Sequence, residues 1–185
     1  MLIAGDKTYG LSKSLYSLYP EAVFASRKTD FNLTTSEGQK KFAEESLNHD
    51  VVILCSALHN FNQTILLNHV YKQCTDSKHR PHIITIGSTT DRVKNGKVWL
   101  YNAEKKALRD YSNSMGLTGV WGEGPKISLI SFGSLSNVQH KHLDRRCLDV
   151  DRAATYIKWI IEQPRDLVIN EISVDPMQDS YWSKN

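Results

Sequence analysis

Ser88, Tyr101 and Lys105 have the types and spacing for moving a proton to or from a carbonyl oxygen. Tyr101 and Lys105 are four apart, so on a helix their side chains share a face. A tyrosine with its ordinary pKa near ~10 is a poor base at neutral pH. A nearby positive charge favours phenolate and lowers that value, which suits a group that must both give and take a proton. Ser88 closes the apolar, β-branched run of residues 82–88. A hydroxyl at the carboxyl end of a strand can hydrogen-bond an oxygen on which charge develops. Tyrosine and lysine at this spacing also occur together on ordinary solvated helix faces, so the pair needs a setting.

That setting is an alternation of strands and helices. Residues 2–5, 22–25, 51–55, 82–88, 127–133 and 166–174 are apolar runs of strand length. Between them, residues 10–19, 36–47, 64–73, 101–115 and 151–163 carry apolar residues at helical spacing. Gly116 is expected to stop the fourth of these helices, and Asp151 to cap the fifth before Pro164 ends it. Alternation of this kind predicts an α/β fold: a Rossmann-type, doubly wound parallel sheet of about six strands between two helical layers. Ligands then bind along the edge formed by the carboxyl ends of the strands. Residues 31–34 (FNLT) lie too close to their neighbours for a full parallel crossover, so no complete strand is expected there. No linker or internal repeat divides residues 1–185, which predicts one domain.

The first strand runs into Gly5-Asp6-Lys7-Thr8-Tyr9-Gly10-Leu11-Ser12. A triphosphate cradle requires lysine directly after its last glycine; Leu11 stands there and Lys13 comes two residues late. A dinucleotide cradle requires glycines where the backbone turns tightly before a helix N-terminus. The topology suits that, although the G-x-G-x-x-G spacing is not met. A plain turn remains the other reading of the loop taken alone.

With Ser88 thirteen residues ahead of Tyr101-Asn102-Ala103-Glu104-Lys105, the chain resembles the short-chain dehydrogenase/reductases, whose hallmark is Y-x-x-x-K. The likeness runs over nearly the whole chain in order. It takes in the glycine loop, Cys55-Ser56-Ala57 where that family has N-N-A-G, and Phe132-Gly133 where it has P-G. The resemblance implies Tyr101 as general acid/base, Lys105 lowering its pKa and holding a ribose, and Ser88 polarising the carbonyl. It also implies an asparagine on the preceding helix as a fourth catalytic residue. Asn62 matches best, with Asn60 and Asn68 as alternatives and simple helix capping as the plain reading. A nicotinamide dinucleotide would lie along Gly5, Lys7, Tyr9, Gly10, Leu11, Ser56, Ala57 and Gly133, with Asn32 near the adenine. The implied activity is an NAD(P)-dependent oxidoreductase interconverting a carbonyl and a secondary alcohol, as a homodimer or homotetramer. The irregular loop and the short segment after Gly133 support a runner-up reading, a nucleotide-binding regulator or interaction module on the same fold that has lost turnover.

An acid at the end of the second strand would mark NAD, whereas basic residues accommodate a 2′-phosphate. Arg27 and Lys28 stand there, with no acid before Asp30, so NADP is expected over NAD. The net charge of +3 comes from scattered basic residues, an arrangement unsuited to the many phosphate contacts of nucleic-acid binding. No apolar stretch reaches the ~18 residues of a membrane helix. Cys55, Cys74 and Cys147 share no ligand spacing. With no export signal recognisable, reduced thiols and a cytoplasmic setting are expected. His140, His142, Asp144 and Cys147 are read as the polar surface of a substrate flap and not as a metal site. Arg145 and Arg146 in the same stretch are suited to an acidic substrate. Trp99 and Trp159 are expected to be packing anchors.

Overall fold

The computed structural model describes residues 1–92, 99–141, 143 and 145–178, so His142 and Asp144 lie outside the described residues. The strands are β1 (Leu2–Ala4), β2 (Val23–Ala25), β3 (Val51–Leu54), β4 (His82–Ser88), β5 (Lys126–Phe132) and β6 (Glu171–Val174). All pair in parallel, in the order β2-β1-β3-β4-β5-β6. Both faces are covered, which is why the strands read as continuous apolar runs. Leu2 and Ala4 pack on one side with α2 (Ser36–Ser46), α3 (Asn62–Asp76) and α4 (Leu100–Val120). Ile3, paired across the sheet with Phe24 and Ile53, packs on the other with α1 (Gly10–Leu18) and α5 (Val150–Ile161). Ile53 and Ile84 are fully buried in that second layer, and truncating either to alanine costs about 2–5 kcal/mol in cores of this density.

The chain steps from β1 to β2 on one side and then crosses to β3 on the other. The connections therefore diverge between β1 and β3, which opens a crevice at their carboxyl ends. Residues 31–34 form no strand. Phe31 and Leu33 tuck beneath α2 instead, Phe31 meeting Phe42 edge to face with centroids 6.3 Å apart.

Several boundaries differ from expectation. α4 runs through Gly116 and ends only at Trp121 and Gly122, the latter at φ +72°. Gly116 is buried against β5, where a Cβ would meet the Ile127 carbonyl at an ordinary contact distance of 3.6 Å. The N-cap of α5 is Asp149, whose carboxylate accepts from the Asp151 and Arg152 amides. Asp151 instead accepts the Ser14 hydroxyl at 2.6 Å and pins α5 to α1. β6 begins at Glu171, leaving 166–170 outside the sheet. Trp99 and Trp159 are each 48% exposed and are not packing anchors. Among the described residues no helix is long and apolar enough to cross a membrane.

Candidate active site

The carboxyl ends of β1, β3, β4 and β5 border a cleft of about 1060 Å³, at the upper end of the range for small-molecule sites. Gly5, Tyr9, Gly10, Leu11, Ser56, Ala57 and Gly133 line it, together with Ser88, Tyr101 and Lys105.

At one end lies the start of α1. Gly10 adopts φ +54°, a conformation that favours glycine, and the helix begins there. Tyr9 supplies no side-chain cap, and the first turn holds no acidic residue. Its amide groups thus border the cleft without a side-chain acceptor, an arrangement suited to a phosphate. Gly5 is required for a different reason. A Cβ there would fall 2.0 Å from Ser12 Oγ and 3.0 Å from Ser12 Cβ, while that hydroxyl donates to Cys55 Sγ at 3.4 Å. Ser12, where a third glycine would be usual, thus fills the space that Gly5 leaves and joins β1, α1 and β3. Gly5→Ala is expected to lower stability by about 1–3 kcal/mol through this overlap. Urea unfolding measures it; an unchanged midpoint would show that the loop relaxes freely.

At the centre, β4 delivers Ser88 and the first turns of α4 deliver Tyr101 and Lys105. Ser88 and Tyr101 both stand on the wall of the cleft, and Ser88 favours the charged form of the phenol. Lys105 is 5% exposed; its Nζ donates to Gln63 Oε1 at 2.7 Å and to the Ile86 carbonyl at 3.1 Å, and lies 5.6 Å from the Tyr101 ring centroid. Burial lowers its pKa to about 8, against the raising influence of Glu104, Cys55 and Asp91. Burial, assisted by Glu104, raises the Tyr101 pKa above its usual value, and Ser88 acts in the opposite sense. The expected depression of the phenol by Lys105 is therefore not found. The ammonium is turned toward Gln63 and Ile86, and desolvation dominates the phenol. In this form the Tyr101 phenol retains its proton.

The segment leaving Ser88 is held on two sides. Asn102 Nδ2 donates to the Thr90 carbonyl. Asp91, buried, accepts from Ser131 at 3.2 Å through Oδ2, while its Oδ1 lacks a hydrogen-bond partner among the described residues. Burial raises this carboxyl's pKa.

Gln63 escaped the sequence reading. Its Nε2 donates to the carbonyls of Leu54 (3.2 Å) and Ile86 (2.8 Å), so one amide ties β3, β4 and Lys105 together. A signal was present: Gln63 heads the buried stripe Leu66, Leu67, Val70 and Cys74, where an apolar residue belongs. Asn62, the expected fourth residue, is not brought into the cleft. Its Oδ1 accepts from Gln39 and its Nδ2 donates to the His59 carbonyl. Asn68 accepts from the Tyr111 hydroxyl. Asn60 and Phe61 form a turn at φ 57° and 58°, held where the Asn60 amide donates to Glu104 at 2.6 Å.

Three expected nucleotide contacts do not line the cleft. Lys7 sits over the Tyr16 ring, Arg27 is exposed in the turn after β2, and Asn32 accepts from Thr34. Arg145 lines the cleft, and Arg146 borders an adjoining recess of about 420 Å³.

No family model and no curated protein matches the sequence. Solved structures do match the fold. A short-chain dehydrogenase from Burkholderia cenocepacia J2315, in complex with NADP, superposes with a TM-score of 0.75 at 13% identity, over 93% of this chain and 86% of that one. Serine dehydrogenase from Escherichia coli gives 0.71 at 15%, covering 94% and 95%. A structure described as ribose-5-phosphate isomerase from Brucella melitensis 16M gives 0.71 at 13%, covering 94% and 90%. The fold is thus that of the short-chain dehydrogenase/reductase structures. At such identities the likeness is one of architecture, and chemistry must be argued from side chains.

Proposed function

We propose that the chain is an NAD(P)-dependent oxidoreductase that interconverts a carbonyl and a secondary alcohol. The observation that carries this reading is that Ser88, Tyr101 and Lys105 share the wall of one cleft with the uncapped start of α1. The free amide groups of that turn, the bare Gly5 and Gly10, and the cleft volume fit a dinucleotide diphosphate. Lys28, which follows β2 and pairs with Asp6 on the border of the cleft, favours the 2′-phosphorylated form, NADP. When bound, the nicotinamide supplies the hydride for reduction and accepts it for oxidation.

The protein's residues handle the oxygen. Ser88 hydrogen-bonds the carbonyl and polarises it. Tyr101, kept protonated by burial, gives its proton to that oxygen as the carbon is reduced, and the alcohol product results. The Lys105 ammonium, 5.6 Å from the Tyr101 ring centroid, does not depress the resting phenol but is the positive charge that supports the phenolate formed on transfer. In oxidation the same phenolate takes the proton back.

Two measurements test the reading. Trp99 lines the cleft, so tryptophan fluorescence should change on titration with NADPH. NADPH consumption should follow addition of members of a ketone and aldehyde panel. Binding without turnover across that panel would favour a nucleotide-binding regulator; absence of binding would remove both.

A further inference from the structure

The turn after β1 already holds an anion of the protein's own. Asp6 Oδ1 accepts from the Thr8 amide at 2.9 Å and from the Thr8 hydroxyl at 2.7 Å. Its Oδ2 lies 2.8 Å from Lys28 Nζ, which also donates to Thr8 Oγ1 at 3.3 Å. A backbone amide, a hydroxyl and an ammonium thus converge on one carboxylate, a donor set that a phosphate oxygen would equally satisfy. Asp6 borders the cleft, and Lys28 is one of the two cations after β2.

We propose that Asp6 is the residue that sets the choice between the phosphorylated and unphosphorylated dinucleotide, by occupying the Thr8–Lys28 donors that a ribose phosphate would need. This rests on the dinucleotide reading above and refines it. A phosphate arriving beside Lys28 meets a lysine already engaged and a like charge next to it. An exposed ion pair is weak and salt-sensitive, so a ligand can part it. The carboxylate charge nevertheless persists, because Lys28 and Thr8 hold the Asp6 pKa down to about 2, below any ordinary assay pH. A nucleotide with a plain ribose carries no phosphate there and is indifferent to this competition. Asp6 therefore offsets the preference for the phosphorylated nucleotide that Lys28 would otherwise create.

The test is fluorescence titration of the full chain with NADPH and NADH, for the wild type, Asp6→Asn, Lys28→Gln and the double variant. Asp6→Asn is expected to tighten NADPH by about tenfold while moving NADH by less than about threefold. Lys28→Gln should weaken NADPH more in the Asp6→Asn background than in the wild type, since only there is the ammonium released. An unchanged NADPH-to-NADH ratio in Asp6→Asn, or an equal change for both nucleotides, overturns the proposal while leaving the dinucleotide reading intact. A gain for NADPH that survives Lys28→Gln also overturns it. Failure of every form, wild type included, to bind either nucleotide sinks the dinucleotide reading and this inference together.

Discussion

Phenylalanine at Tyr101 is expected to slow carbonyl reduction by about 10²–10⁴-fold, the usual contribution of a positioned general acid, while nucleotide affinity changes by less than about threefold. The ring, its burial and its place beside Lys105 survive the substitution; only the proton and its hydrogen bond are lost. The fall should thus appear in kcat and kcat/KM together, the mark of an interaction made in the transition state. The pH profile carries a second expectation. Tyr101 is held protonated by burial and Lys105 is held near a pKa of about 8. Reduction should therefore be insensitive to pH from about 6 to 7 and decline as pH rises through about 8, where the ammonium is lost. Steady-state NADPH consumption by wild type and Tyr101→Phe measures both. A variant retaining more than about a tenth of the rate would remove Tyr101 as the acid.

The strands, their order of appearance and the missing strand at 31–34 could be read from sequence because they depend on burial. A segment covered on both faces has to be apolar, and a crossover has to have a minimum length. Ser88, Tyr101 and Lys105 could be brought together for the same reason, since strand ends and helical spacing place them. What could not be read depends on where long side chains turn. Lys105 reaches toward Gln63 and Ile86 instead of the phenol, so spacing suggested a depressed tyrosine pKa where the folded protein has a raised one. Lys28 follows β2 as expected, but its partner Asp6 is 22 residues earlier and only the folded sheet makes them neighbours. Asn62 and Gln63 are adjacent in sequence, and a single helical step of about 100° decides which amide enters the core.

That step gives the second large effect. Gln63 is 4% exposed and supplies the short hydrogen bond that accepts from the buried ammonium of Lys105. Gln63→Leu removes that acceptor and leaves the Leu54 and Ile86 carbonyls without the amide's donors. Hydrogen bonds to charged groups and buried unpaired polar groups each carry about 1–3 kcal/mol, so a stability loss of about 2–4 kcal/mol is expected in urea unfolding. Damage to the core alone would also lower stability, and the pH profile separates the two. Without Gln63 Oε1 the charged form of Lys105 loses support, its pKa falls from its wild-type value, and the alkaline limb of kcat/KM moves toward lower pH. Gln63→Glu does the opposite: a carboxylate beside the ammonium favours the charged form and moves the limb toward higher pH. Linkage gives the matching sign for folding. Lys105 titrates at about 8 when folded and near 10.5 when unfolded, so between these values the unfolded chain binds more protons and this group's contribution to stability rises with pH. Gln63→Leu should widen that window at its lower end and Gln63→Glu should narrow it. Movement of the limb in opposite directions by two substitutions of the same buried amide marks Gln63 as the residue that positions Lys105. If the limb stays where it is in both variants, the amide serves only to join β3 to β4.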